Sequence, residues 1–247
     1  MGIHYSRLNA VEKPIKVALV GCGGTGSVML HQLARIQLAL LELGHPGMSV
    51  TAYDDDTVSK ANIGRQTFSE CDVGLYKVNV LMQRINAYYG FRWIATPIKA
   101  ERGDVFHDDV VITCVDSVDA RISLADKRRG YFLDCGNSRT TGQVILGAKF
   151  TTGLEGEYHI LPNVVDLFPD IRDHEDPDEP SCSLAEALRK QDLFINSMIA
   201  NAASQLLWDL LRHSTIKRHG CFINLESGSM TSLPIDPETW ERFGYQA

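Results

Sequence analysis

Apolar residues fall along this chain in two rhythms, and their alternation lays out a sheet covered by helices. Residues 15–20, Ile-Lys-Val-Ala-Leu-Val, have the near-continuous hydrophobicity of a strand buried on both faces. They run into Gly21-Cys-Gly-Gly-Thr-Gly26, and residues 27–43 then repeat their apolar positions at helical spacing. Gly44-His-Pro-Gly47 stops that helix, and residues 48–53 read as a second strand ending in Asp54, Asp55 and Asp56. From 72 to 89, Val73, Val80, Leu81, Ile85 and Tyr88 recur at helical intervals and Gly90 closes the element. Residues 91–98, 109–115 and 131–135 are further short apolar runs, the last two separated by a charged helical segment. The pattern predicts an α/β fold, a doubly wound, mostly parallel Rossmann-like sheet.

Beyond Gly136 the rhythm changes. Residues 143–150 and 157–161 read as strands with no helix between them, the pattern of an antiparallel extension. Residues 162–183 are acidic and proline-bearing, a crossover loop. A strong helical pattern covers 184–212 with a break near Gln191-Asp192, placing Phe194, Ile195, Leu206, Leu207 and Trp208 in a core. A last strand at 221–225 precedes a polar tail. The expectation is one domain over 1–247, with a nucleotide-binding half at 15–136 and the extension and C-terminal helices at 137–247.

Composition narrows the function classes. The 44% hydrophobic and 22% charged fractions are those of an ordinary globular protein. A formal charge of -7 argues against a nucleic-acid partner, which a basic face would have to hold. Apolar runs such as 17–20 and 110–112 are far shorter than the about 20 residues that span a bilayer, so no membrane segment is expected. Residues 1–16 lack the apolar stretch of a secretory leader, which predicts a cytoplasmic location. The six cysteines (22, 71, 114, 135, 182 and 221) include no C-x-x-C pair, so reduced thiols fit better than disulfides or zinc.

Glycines 21, 23, 24 and 26 lie between a strand and a helix, where backbone amides and the helix dipole meet a phosphate. A glycine turn chosen only for close strand–helix packing is the plainer alternative. Asp54 ends the second strand where dinucleotide enzymes place their ribose-binding acid. Three adjacent carboxylates cannot all face one ribose, so Asp55 is assigned to solvent.

The residues that follow do not suit hydride transfer. Asp54-x-Asp56-Thr57-Val58-Ser59-x-x-Asn62-x-x-Arg65-Gln66, then Gly74-x-x-Lys77 and Cys114-Val-Asp116, resemble the ThiF/MoeB/HesA family of ubiquitin-activating-like enzymes. The resemblance runs from about residue 16 to 211, and is strongest to ThiF-like proteins of PRTRC systems. It implies ATP-dependent adenylation of the C-terminal glycine carboxylate of a small ubiquitin-like, β-grasp protein by a homodimer. Arg65 and Lys77 match the family's triphosphate-binding pair, chemistry that suits a pentavalent phosphorus and departing pyrophosphate. Asn62 would hydrogen-bond phosphate or the acyl carboxylate, and Asp116 would hold Mg2+, a hard cation wanting oxygen ligands. The plainer alternatives are surface cations for Arg65 and Lys77, and a helix cap for Asp116.

The resemblance also implies a thiol step. Pro180-Ser-Cys182-Ser183 stands where many such enzymes carry their acyl-accepting cysteine, and the helical pattern beginning there would favour a thiolate. Nearby acids, Glu175, Asp176, Asp178 and Glu179 among them, would act the other way. Cys22, Cys114 and Cys135 read as small buried hydrophobes. Tyr5-Ser6-Arg7 resembles an opening motif whose arginine reaches a neighbour's ATP, or is a solvated tail. The zinc of MoeB-like members has no ligand pairs here. An NAD-dependent oxidoreductase and a non-catalytic nucleotide-binding scaffold are the rival classes.

Overall fold

The computed structural model describes all residues except 1, 7, 9–11, 102, 106, 126–129, 151–157, 159, 174–183 and 246–247. In chain order its elements begin with β1 (His4–Tyr5), β2 (Ile15–Val20), α1 (Gly24–Glu42) and β3 (Met48–Tyr53). Next come α2 (Lys77–Tyr89), β4 (Ile94–Thr96), β5 (Val110–Thr113), α3 (Val118–Ala125), β6 (Gly130–Asn137) and β7 (Thr141–Lys149). The chain continues through β8 (Ile160–Leu161), α4 (Val164–Leu167), α5 (Leu184–Lys190) and α6 (Ile195–His213). It closes with β9 (Thr215–Ile216), β10 (Arg218–Asn224), β11 (Ser229–Pro234) and α7 (Pro237–Glu241).

The main sheet runs β11-β10-β7-β6-β5-β2-β3-β4, with β8 on β7. From β6 to β4 every pairing is parallel, and from β6 to β11 every pairing is antiparallel. This is the doubly wound sheet with an antiparallel extension that the apolar rhythm predicts. From β2 the chain builds outward through β3 to β4, then returns to the other side of β2 for β5 and β6. The order reverses between β2 and β5, and a ligand crevice opens beyond the carboxyl ends of the strands at such a reversal.

Helix formation follows burial. In α1, Met29, Leu30, Leu33, Ile36 and Leu40 face inward at three- and four-residue steps, and α6 does the same with Ile199, Ala203, Leu206, Leu207 and Leu210. α1 packs on both α2 and α6, and α6 also covers β6, β7 and β10. Fully burying each such aliphatic side chain contributes about 1.5–3 kcal/mol, so the α1–α6 seam fixes the start of α6 against the start of α1. Gly90 ends α2 in the left-handed conformation, φ 74°, which glycine adopts without cost.

Three expectations need correction. Residues beyond 225 are not a polar tail, because β11 pairs with β10 and α7 buries Trp240. β11 shows almost no alternation, four of its six residues being exposed in a row, so its hydrophobic pattern carries no strand signal. Phe194 is not core. It stands 64% exposed at the start of α6, while Ile195, Leu206 and Leu207 are buried as expected. The loop expected at 162–183 begins with α4 and a 3-10 turn at Pro169–Asp173. Among the described residues no helix is long and apolar enough to cross a membrane.

Candidate nucleotide site

The glycine turn lies at the reversal point. Gly21 takes φ +90°, and its N–H donates to the Tyr53 carbonyl at 2.9 Å. A Cβ there would sit 2.6 Å from the Cys114 carbonyl oxygen, and one on Gly26 would strike the Gly21 carbonyl oxygen. Both glycines therefore serve close backbone approach, and the turn fits under the end of β5. Gly23 occupies the N-cap position of α1, with no side chain capping it and no acid in the first turn. The amides that open a helix lack intrahelical partners, so this uncapped end offers them, with the positive end of the dipole, to an anion. Gly26→Ala is expected to destabilise the fold by about 1–3 kcal/mol through overpacking. Nucleotide binding should be lost with it, as melting and nucleotide titration would show.

Asp54 braces the turn. Its carboxylate accepts the N–H of Cys22 and, at 2.9 Å, that of Asp56. Burial pushes its pKa up, against the pull of those amides and of Lys77. Asp55 and Asp56 are exposed, and Asp56 accepts from Lys77 Nζ at 2.6 Å. Lys77, the first residue of α2, is buried to 7% exposure, so its charge is held in place rather than left to wander in solvent.

Between β3 and α2 a 3-10 turn at Lys60–Asn62 presents the next group of side chains. Asn62 is itself an anchor: its Oδ1 accepts from the Ser59 N–H at 2.8 Å and the Ser59 hydroxyl at 3.2 Å. The half-buried Arg65 donates from Nη1 to Gln191 Oε1 at 2.8 Å, while its Nε is buried with no partner. Burial lowers the Arg65 pKa and the Asp116 carboxylate opposes this, so the two charges lie within each other's field. Gln66 extends over the turn, its Nε2 3.9 Å from where a Gly23 Cβ would stand, and its Oε1 is buried without a partner. Buried polar atoms left unpaired cost about 1–3 kcal/mol each. Arg65 Nε is thus a donor and Gln66 Oε1 an acceptor that a polar ligand could pair.

Asp116 follows β5 at the same sheet edge and is exposed. The adjacent Ser117 hydroxyl accepts the Ala120 N–H at 3.2 Å, so the capping of α3 falls to Ser117. Beneath the loop, buried Arg121 lies 2.8 Å from Asp134 Oδ1 through Nε and donates from Nη2 to the Val115 carbonyl at 3.0 Å. Burial raises the Asp134 pKa against the pull of Arg121. That ion pair holds the backbone one residue before Asp116.

Cys22, Cys135 and Cys221 are buried. Burial raises the Cys22 thiol pKa, and a hydrogen bond with Cys135 together with burial raises that of Cys114, so these stay protonated thiols. Cys182 and Arg7 lie outside the described residues. Sequence reasoning missed Gln191 and Asn196. Asn196 is 4% exposed, accepts the Thr25 hydroxyl hydrogen at 2.9 Å, and donates to Gln191 Oε1 at 3.3 Å. Its one visible signal is an amide on the apolar face of an amphipathic helix, between Ile195 and Ile199.

The fold and this edge define a doubly wound α/β domain with a glycine turn at its reversal point. The chain belongs to the ThiF family, which it matches over residues 5–239. The protein named ubiquitin-like modifier-activating enzyme 5 in Oryza sativa subsp. japonica is 29% identical over 147 residues, 48% of this chain and 33% of that protein. Its namesake in Arabidopsis thaliana is 28% identical over 155 residues, covering 49% and 33%. The chain thus spans about a third of the length of these curated relatives. Among solved structures, PaaA superposes with TM-score 0.61 at 17% identity, covering 93% of this chain and 65% of that one. E. coli MccB with ATP superposes with TM-score 0.60 at 15% identity, covering 92% and 64%.

Proposed function

We propose that this chain uses ATP to adenylate a carboxylate, that of the C-terminal glycine of a small ubiquitin-like protein. The observation that carries the reading is the uncapped start of α1 with the Gln66 amide beside it and Arg65 tied to it through Gln191 and Asn196, its buried Nε unpartnered, while the Lys77 charge is felt at Cys22 and Asp54. Membership of the ThiF family and the likeness to activating enzymes of ubiquitin-like modifiers support it.

In the proposed step a carboxylate oxygen forms a bond to the α-phosphorus as the bond to the bridging oxygen of pyrophosphate breaks. The products are an acyl-adenylate and pyrophosphate. A carboxylate is already ionised at neutral pH, so no general base is needed. The chain contributes positioning and charge. The α1 amides and Gln66 hold phosphate oxygens, and Arg65 and Lys77 offset the charge that grows on the leaving group. Asp54, whose oxygens each accept one backbone amide and keep a second lone pair, and Asp56, exposed and oriented by Lys77, are the carboxylates offered to the ribose. Asp116 would hold Mg2+, which when bound supplies further positive charge to the phosphates. Among the described residues no group of three or more His, Cys, Asp or Glu gathers as a metal cage. A single carboxylate suits Mg2+, which keeps its waters and takes substrate phosphates as ligands.

The test is ATP–pyrophosphate exchange in the presence of Mg2+ and candidate β-grasp proteins. Exchange that depends on a free terminal glycine carboxylate, and vanishes when that terminus is amidated, is the expected result. A chain that shows no exchange with any carboxylate partner, or binds NADH in place of ATP, sinks the reading. In the second step proposed here, the Cys182 thiol attacks the acyl carbon and AMP leaves, giving a thioester. Cys182→Ala is expected to keep exchange within about twofold, since the step it removes follows pyrophosphate release. Thioester, read on a non-reducing gel, should disappear.

A further inference from the structure

The break between α5 and α6 is tied to three separate parts of the molecule. Gln191 Oε1 accepts Arg65 Nη1 at 2.8 Å and Asn196 Nδ2 at 3.3 Å. The Asp192 N–H donates to the Arg139 carbonyl, in the turn between β6 and β7, at 2.8 Å. Asn196 Oδ1 accepts from Thr25 Oγ1 at 2.9 Å, and its amide group fills the space where a Gly24 Cβ would stand. A continuous chain of hydrogen bonds therefore runs from Arg65 through Gln191 and Asn196 to the first turn of α1. A guanidinium can only donate, so Arg65 dictates that Gln191 turn its oxygen inward, and buried Asn196 must then turn Nδ2 toward that oxygen and Oδ1 toward the Thr25 hydroxyl. Gln191 must then present its oxygen to both donors.

From this geometry we infer that Gln191 is a positioning residue, which holds the Arg65 guanidinium at the glycine turn before nucleotide arrives. The inference rests on the proposed role of Arg65 toward the triphosphate. An arginine gives up much of its rotamer freedom when fixed, and a neutral acceptor fixes it without spending its charge. A carboxylate in place of Gln191 would hold Arg65 as firmly but cancel the field that phosphate feels. An amide oxygen orients the cation and leaves its charge for the ligand. Asn196 extends the restraint to the α1 amides, so that cation and helix end are aligned by one network. The residue spacing hides this. Gln191 and Arg65 are separated by 126 positions, and Thr25 and Asn196 by 171.

The experiment compares full-length wild type, Gln191→Leu, Arg65→Ala and the double variant by calorimetric titration with ATP and, separately, AMP. AMP shares the base, ribose and first phosphate but lacks the phosphates assigned to Arg65. Gln191→Leu keeps side-chain volume and is expected to weaken ATP by about tenfold, ~1.4 kcal/mol, with AMP affinity within about twofold. In the Arg65→Ala background the same substitution should add nothing, because its effect passes through Arg65. Equal losses for ATP and AMP, additive effects in the double variant, or an unchanged ATP affinity would each overturn the positioning role. If the wild type binds AMP and ATP equally, or neither, the triphosphate reading itself fails and takes this inference with it.

Discussion

Asp116→Ala lowers ATP–pyrophosphate exchange by about 10²- to 10³-fold while leaving stability within about 0.5 kcal/mol of wild type. The two halves of this expectation come from different observations. The carboxylate is exposed at the sheet edge, and the capping of α3 is done by Ser117, so its removal leaves no buried group unsatisfied. Stability should therefore ignore it. Activity should not, because this carboxylate lies within the field of Arg65 and follows β5 at the sheet edge where the strand order reverses. In the proposed chemistry it is the group that brings a divalent cation to the phosphates. Asp116→Asn, which keeps the shape and a ligand oxygen but removes the charge, should fall between the two and be partly restored by raised Mg2+. Exchange that survives Asp116→Ala unchanged would remove this residue from the site. A large drop in melting temperature would instead make it a structural acid.

What could be seen in the chain before folding is what depends on near neighbours. The β2, glycine turn and α1 sequence is legible because its three signals lie within 30 residues of one another, and each has a local cause: burial on both faces, positive φ, and helical period. The position of Asp54 directly after β3 is legible, but its bond to the Cys22 amide spans 32 positions and depends on the sheet register. Asn62 is similar: its motif position is legible, while the use of its oxygen to anchor Ser59 is a matter of local geometry. Gln191 and Asn196 left almost no trace because their partners are supplied by the packing of α6 on α1. β10 is legible as an apolar run, whereas β11 is not, for a different reason. An edge strand with exposed side chains need not alternate, and its support comes from Trp240 beneath it.

The same C-terminal region sets a pH effect on stability. His219, on β10, is fully buried. It meets the Leu146 carbonyl through Nδ1 at 3.0 Å and accepts the Trp240 indole N–H at Nε2 at 2.8 Å. An indole N–H can only donate, so Nε2 must be unprotonated and the ring neutral. Burial, with the nearby His4 adding to it and the Leu146 carbonyl opposing it, lowers the His219 pKa from 6.5 to about 4. As pH falls below 6.5 the unfolded chain takes up a proton that the folded chain refuses, and each pH unit costs about 1.4 kcal/mol until the folded pKa is reached. Stability from this group is thus complete above pH 6.5 and falls by about 2 kcal/mol by pH 5, and by about 3 kcal/mol once the pH is below 4. Urea unfolding of wild type at pH 7.5 and 5 should show that loss beyond whatever the carboxylates add. His219→Gln, which still offers an oxygen to the indole but cannot titrate, should start less stable at pH 7.5 and lose about 2 kcal/mol less on going to pH 5. Parallel pH profiles for the two proteins would mean that His219 admits its proton without unfolding, and that the Trp240 contact is not what holds α7 against the sheet.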